Sequence, residues 1–174
     1  MLQNCSSWLV FREFLNEPIK KWHIRGLSRK IKIAPTSVKL HVNTLQKEGF
    51  VLEKNDDVFK YYVANFDSED FRFYKKINTM INLRTSGLLD YIIRLCSPDT
   101  IILFGSCSKG EDTETSDLDL YIQGTETKLN LNKFEKLLNR KIQLFFSEAI
   151  EKIPKELRNN ILNGIKLDGY VKVF

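Results

Sequence analysis

Histidine is nearly missing from this chain, with two in 174 residues, and cysteine, with three, is hardly commoner. His23 and His41 both fall in the first quarter of the sequence. That argues against a Ser-His-Asp triad or a histidine-rich metal centre. Cys5, Cys96 and Cys107 are too few and too scattered for a disulfide framework or a zinc site, and Cys107 reads as a small filler. No apolar run approaches the ~20 residues needed to span a bilayer. The first residues lack the charged flank, long apolar segment and small-residue cleavage site of a secretory signal. A reducing, cytoplasmic setting away from membranes is therefore expected. Internal repeats and low-complexity segments are also missing.

What is present suffices for a packed core, since 43% of the residues are apolar. The length allows one ordinary domain or two small ones. Charge is unevenly shared. Residues 1–66 hold eleven Lys/Arg against six Asp/Glu, whereas residues 98–174 hold eleven against twelve. The basic excess thus sits in the N-terminal part, the distribution expected if that part approaches nucleic acid. A solvated lysine-rich surface would give the same count.

In chain order, Leu9, Val10, Phe11, Phe14 and Leu15 make a helical stripe over Ser7–Asn16, stopped by Pro18. A second helix is expected over Trp22–Ile31. A third is capped by Thr36, with Val38, Val42 and Leu45 inward and Ser37, Lys39, His41, Asn43 and Thr44 largely outward. Phe50–Lys54 and Val58–Val63 read as strands around the turn Asn55-Asp56-Asp57. Three short helices and a hairpin resemble a winged helix-turn-helix, with the third helix as reader and the hairpin as wing. That resemblance implies DNA contacts from Ser37, Lys39, His41 and Asn43. The same module also serves in protein contacts and dimerisation, and a homodimer stays open.

Phe66–Asp70 looks like a capped helix start, and Tyr74, Ile77, Ile81, Leu88, Ile92 and Leu95 keep helical spacing to Pro98. Thr85-Ser86-Gly87 interrupts this run, whose stripe reads as core or a dimer seam. Further on, Lys128–Asn139 is expected to be a helix, Lys141–Phe146 a strand and Tyr170–Phe174 an edge strand. The helix carrying Leu157, Ile161 and Leu162 is expected to stop at Gly164.

The stretch from Thr100 to Gln123 carries the chemistry. Ile101 to Phe104 read as a buried strand ending at Gly105-Ser106. Ten residues separate Ser106 from Asp117, and Asp119 follows. Residues two apart in a strand share a face, so both carboxylates are expected on one side and Leu118 and Leu120 on the other. Two adjacent carboxylates repel, and a site that tolerates this usually supplies a cation. Gly105 permits a tight turn whose following amides face an anion.

Phe104-Gly105-Ser106, Lys109-Gly110 and Ser116-Asp117-Leu118-Asp119-Leu120 together resemble the signature of the DNA polymerase beta-like nucleotidyltransferase superfamily. The closest likeness is to its minimal, antitoxin-like branch, and Leu162–Leu167 resembles that branch's closing helix-to-strand segment. The resemblance implies an α+β chain with a winged helix-turn-helix domain at 1–66, a connector helix at 67–86 and a nucleotidyltransferase domain with a mixed sheet at 87–174. It implies transfer of a nucleoside monophosphate from a nucleoside triphosphate, ATP being the expected one, to an acceptor hydroxyl. Asp117 and Asp119 would be the catalytic and metal-binding acids of a two-Mg²⁺ site, and Gly105, Ser106, Lys109 and Ser116 would hold the nucleotide. A HEPN-like toxin is a possible acceptor partner in that branch.

One position departs from the family pattern. The third carboxylate, expected on the strand Lys141-Ile142-Gln143-Leu144-Phe145, is Gln143 here, and an amide is neither an anionic ligand nor a general base. Glu148 would substitute only if the strand end bends back. Two functions therefore stay open: a Mg-dependent transferase, or a DNA-binding regulator whose degenerate transferase domain binds nucleotide without turnover.

Overall fold

The computed structural model describes residues 5–56 and 59–171. The chain divides into two compact units, Met1–Lys75 and Lys76–Phe174, and is α+β, with eight α-helices and two sheets among the described residues.

The first unit begins with α1 (Ser6–Asn16), which buries Val10, Phe11, Phe14 and Leu15. Next come α2 (Ile24–Ile31) and α3 (Pro35–Lys47). α2 starts two residues later than the sequence suggests because Trp22 is used elsewhere. Its N–H and C=O exchange 2.8 Å hydrogen bonds with those of Tyr62, adding a one-residue bridge to the hairpin. α3 takes Pro35 at its first turn, where the missing N–H has no helical partner to lose. Ala34, not Thr36, is the N-cap, and no side chain caps the helix. Val38, Val42 and Leu45 face inward as expected.

The hairpin comprises β1 (Val51–Asn55) and β2 (Lys60–Ala64), antiparallel with Val51 opposite Ala64 and Asn55 opposite Lys60. Both strands start later than expected. Phe50 instead stacks on Phe11 at 5.0 Å, and its N–H returns to Leu45 at 2.9 Å. Asp57 of the expected turn and Val58 of the expected strand lie outside the described residues.

α4 (Glu69–Ser86) opens with Ser68 Oγ accepting the Phe71 N–H at 3.2 Å. The apolar stripe assigned to it from spacing is not its buried face. Tyr74 is exposed, Ile77 and Ile81 are half-buried, and the buried positions are Phe71, Lys75, Asn78 and Leu83. Lys75 is taken in because its ammonium donates to the Leu15 carbonyl at 2.6 Å. A buried lysine on a core face is opaque to hydropathy. The helix runs unbroken through Thr85-Ser86, and Gly87, at φ 76°, separates it from α5 (Leu88–Cys96).

The second unit is built on a four-stranded mixed sheet in the order β5-β4-β3-β6. β3 (Thr100–Phe104) is antiparallel to β4 (Leu118–Gln123) and to β6 (Ile165–Gly169). β4 is parallel to β5 (Ile142–Ser147). One face packs Ile101, Leu103, Leu118, Leu120 and Ile122 against Leu83, Leu88, Leu89, Ile92 and Phe134. Phe134 lies in α7 (Asn132–Leu138), which is shorter than expected. The other face packs Ile102, Phe104 and Tyr121 against Ile150, Ile153 and Ile161, the last in α8 (Lys155–Leu162).

The described edge strand of this sheet is Ile165–Gly169. At Gly169 (φ 68°) the Asp99 carbonyl comes within 1.9 Å of where a Cβ would stand, and Tyr170 is already outside the strand. Lys172–Phe174 lie outside the described residues. Gly164 is needed for contact rather than for a left-handed stop. A Cβ there would meet the Leu103 carbonyl oxygen at 2.4 Å.

Candidate functional site

β3 and β4 meet at the end where β3 stops. Phe104, its last residue, lies opposite Asp119, and Asp119 in turn lies opposite Gln143 on β5. Between β3 and β4 the chain makes the short helix α6 (Gly105–Lys109) and a loop, residues 110–117. The strand alternation works as the sequence suggests. Leu118 and Leu120 sink into one core, which leaves Asp119 on the opposite face with Phe104 and Tyr121.

Gly105 is the tightest point of this corner. Its φ is 70°, and a Cβ built on it would stand 2.4 Å from Asp119 Oδ2. The absent side chain is thus what admits the carboxylate. α6 starts immediately afterwards, and the first-turn N–H groups of a helix have no acceptor inside it. Ser108 Oγ donates back to the Gly105 carbonyl at 2.8 Å, bracing the turn. Gly105→Ala forces the left-handed conformation on an L residue, a cost of ~1–2 kcal/mol, and pushes the short Asp119 side chain aside. The expected result is a modest fall in melting temperature, read by thermal scanning.

Asp119 is half-buried, and its carboxyl is held above the ordinary carboxylate range, first by burial and then by the Asp117 charge. A cation at the pair would remove both penalties. Gln143 faces Asp117, with Nε2 donating to Oδ2. The amide therefore caps one carboxylate oxygen with a neutral donor where an acid would present charge. Glu148 does not take that place. β5 runs straight past Gln143 to Ser147, paired with Gln123, and Glu148 lies one residue further, ~16 Å along the strand at ~3.3 Å per residue. There it pairs with Lys152 at 2.8 Å.

Ser116 Oγ accepts the Thr113 N–H at 2.9 Å and shapes the turn before the acids. Ser106 is half-buried in α6, and Lys109 ends that helix exposed, with no ion pair to either aspartate. Glu114, in the same loop, has both carboxylate oxygens out of solvent with no hydrogen-bond partner among the described residues. Buried groups in that state call for an ordered water or an ion.

Sequence reasoning missed the pair that holds this loop. Arg140, between α7 and β5, reaches the fully buried Asp112 at 2.6 Å and the Ser116 carbonyl at 3.3 Å, with Cys107 Sγ at 3.7 Å. Asp112 and Arg140 lie 28 positions apart in sequence, and no motif links them. Arg140→Ala breaks the ion pair of a buried carboxylate, a loss of about 3–5 kcal/mol. Urea unfolding should show that loss, and the Asp112→Asn/Arg140→Gln double variant should recover part of it.

The candidate DNA-contacting residues lie in the other unit. Lys39 and Asn43 are exposed on α3 and Ser37 is half-buried. His41 is half-buried and tied to the start of α1, its Nε2 2.8 Å from Ser6 Oγ. The outward face of α3 instead carries Leu40, 64% exposed, with Asn43, Thr44 and Lys47.

Residues 88–167 match the family described as Polymerase beta, Nucleotidyltransferase. The matched segment opens at α5, contains the Gly105 corner and both aspartates, and closes inside β6. This part of the chain is therefore similar to nucleotidyl-transfer domains of the polymerase beta superfamily. Neither the curated proteins nor the solved structures searched gave a match. No helix among the described residues is long and apolar enough to cross a membrane.

Proposed function

We propose that the C-terminal unit is a Mg-dependent nucleotidyltransferase that moves a nucleoside monophosphate from a nucleoside triphosphate, ATP first among candidates, to an acceptor hydroxyl. The observation that carries this reading is Asp119 seated against the side-chain-free Gly105, at a corner inside the segment similar to nucleotidyltransferases. Two neighbouring carboxylates, one of them raised above its ordinary value by burial and by the other's charge, form a donor set that gains from a hard cation.

The residues fit one such cation. Among the described residues no three His, Cys, Asp or Glu side chains converge as a metal site. Asp117 and Asp119 with triphosphate oxygens suffice for one Mg²⁺, which commonly binds one or two carboxylates plus phosphates. Such a cation, held by Asp117 and Asp119, would supply charge neutralisation at the phosphates. Through it the two carboxylates would fix the triphosphate beside the Gly105-Ser106 turn. In the transfer, the acceptor oxygen bonds to the α-phosphorus as the bond to pyrophosphate breaks. Gln143 cannot accept the hydroxyl proton, which passes to water or a phosphate oxygen, so turnover is slow. Incubation with Mg²⁺, α-labelled ATP and candidate acceptors tests this: label transfer lost in Asp119→Ala supports it, and no transfer with any acceptor or metal counts against it.

The Gln143–Asp117 bond favours a second reading, a nucleotide-binding regulator without turnover. Its partner would be DNA, held by the N-terminal unit as a winged helix with α3 as reader and the β1–β2 hairpin as wing. Lys39 and Lys47 supply charge there, while Asn43 offers the two-bonded geometry that suits adenine. Under this reading Lys39→Ala weakens binding to all duplexes and flattens its salt dependence by about one unit of slope. Asn43→Ala relaxes sequence preference instead. Duplex binding insensitive to salt in an anisotropy titration would rule it out.

A further inference from the structure

The helix-covered side of the second unit carries a feature that nucleotide binding does not use. α5 and α7 pack side by side on the sheet and leave an open groove of about 1100 Å³ between them. Its lining includes Arg94, Lys133 and Lys136, all exposed and none in an ion pair among the described residues. Asp90 is the only acid in that lining, so the groove carries a net positive charge. Its apolar part is formed by Tyr91, the buried Phe134 and Leu137, which is 61% exposed.

The floor is built and fixed. The Tyr91 and Phe134 rings lie 5.1 Å apart, and Tyr91 Oη accepts the Asn130 N–H at 3.3 Å. Chain connectivity sets which way the groove opens. α5 turns back into β3 through residues 97–99, so it begins toward the end where β3 stops. α7 turns into β5 through residues 139–141, and β5 begins opposite Leu118. The Gly87 and Leu137 end of the groove therefore lies at the same end of the sheet as Gly105, on the face opposite Asp119.

We propose that this groove docks an acidic amphipathic helix of a partner protein. The docking stands on the groove alone, whichever reading of the nucleotide site holds. An amphipathic helix laid along two antiparallel helices buries an apolar stripe and brings its flanking side chains to the rims. Leu137 and the Tyr91–Phe134 floor accept the stripe. Arg94, from the second half of α5, and Lys133, from the first turn of α7, take carboxylates on its flanks, with Lys136 one turn further. A nucleic-acid strand fits less well. Leu137 offers nothing to a phosphate, the Tyr91 ring is engaged with Phe134, and Asp90 repels a continuous phosphate chain but pairs with a basic side chain of a peptide.

The test is selection of displayed helical peptides of random surface sequence on the full chain, followed by anisotropy with one labelled winner. Enriched peptides are expected to carry an apolar stripe flanked by Asp and Glu. Their binding should fall at least tenfold in Arg94→Glu/Lys133→Glu/Lys136→Glu and several-fold in Leu137→Ser. Both variants should keep the wild-type melting temperature and ATP binding, which shows that they are folded. Asp117→Ala/Asp119→Ala should lose ATP but keep the peptide, so failure of the nucleotide site and failure of the groove read out separately. The proposal is overturned by winners without acidic flanks, by binding that survives the triple reversal, or by a twelve-nucleotide oligouridine probe bound through the same three cations.

Discussion

Asp119→Asn is expected to raise the melting temperature of the metal-free chain and, in the same molecule, to abolish Mg-dependent nucleotide binding. The sign follows from the raised Asp119 carboxyl. A folded-state value above the unfolded one means that the native chain holds a proton the unfolded chain has already released. Stability therefore falls as pH rises from the ordinary carboxylate range through the raised folded value, and it stays reduced at neutral pH. An amide removes both the half-buried charge and its repulsion with Asp117, so the acid-to-neutral decline flattens. Function moves the opposite way. On the transferase reading, losing one of the two carboxylates that would hold the cation is expected to cost about 3–4 kcal/mol of transition-state stabilisation, two to three powers of ten in transfer rate. Thermal scanning across pH, with and without Mg²⁺ and ATP, reads both arms. A variant that melts below wild type at neutral pH without metal, or that still gains stability from Mg-ATP, would contradict the assignment of Asp119.

The second large effect is expected from Gln143→Asp. The native amide donates to Asp117 Oδ2, so the substitution exchanges an attraction for a third like charge beside two others. Without metal the variant should melt several degrees lower, since ~1 kcal/mol corresponds to ~2–4 °C for a chain of this size. With Mn²⁺ and a non-hydrolysable triphosphate it should bind one more ion per chain than the native protein does, as counted by paramagnetic resonance. An acid at this point also supplies a base for the acceptor hydroxyl, a role worth about 10²–10⁴-fold in rate. A gain in rate with the additional ion would identify Gln143 as the brake on the native enzyme. An unchanged ion count and rate would show that the additional ion site is missing for some other reason.

Much of the second unit was legible in its sequence because its chemistry is local. The strand before Gly105, the ten-residue interval and the alternation around Leu118 are short-range patterns, and each imposes one geometry. The three helices and hairpin of the first unit were legible for the same reason, with boundaries displaced by one or two residues. The displacements have identifiable causes, namely the Trp22 bridge to Tyr62 and the use of Phe50 in the aromatic cluster around Phe11. The buried face of α4 was misread because Lys75 and Asn78 occupy it. A lysine is buried only when a distant carbonyl receives it, and hydropathy cannot foresee the Leu15 carbonyl.

By itself the sequence determined that Asp119 alternates with Leu118 and Leu120 beside a glycine turn and that the position across from it is an amide, because pleat and residue identity are properties of neighbours along the chain. Only the tertiary structure decided that Gln143 bonds Asp117, that Arg140 anchors Asp112, that Glu148 lies at the wrong end of β5, and that α5 and α7 leave a cationic groove. Each of these depends on which strands and helices become neighbours, and that choice is made by packing the two faces of a sheet whose segments are far apart in sequence.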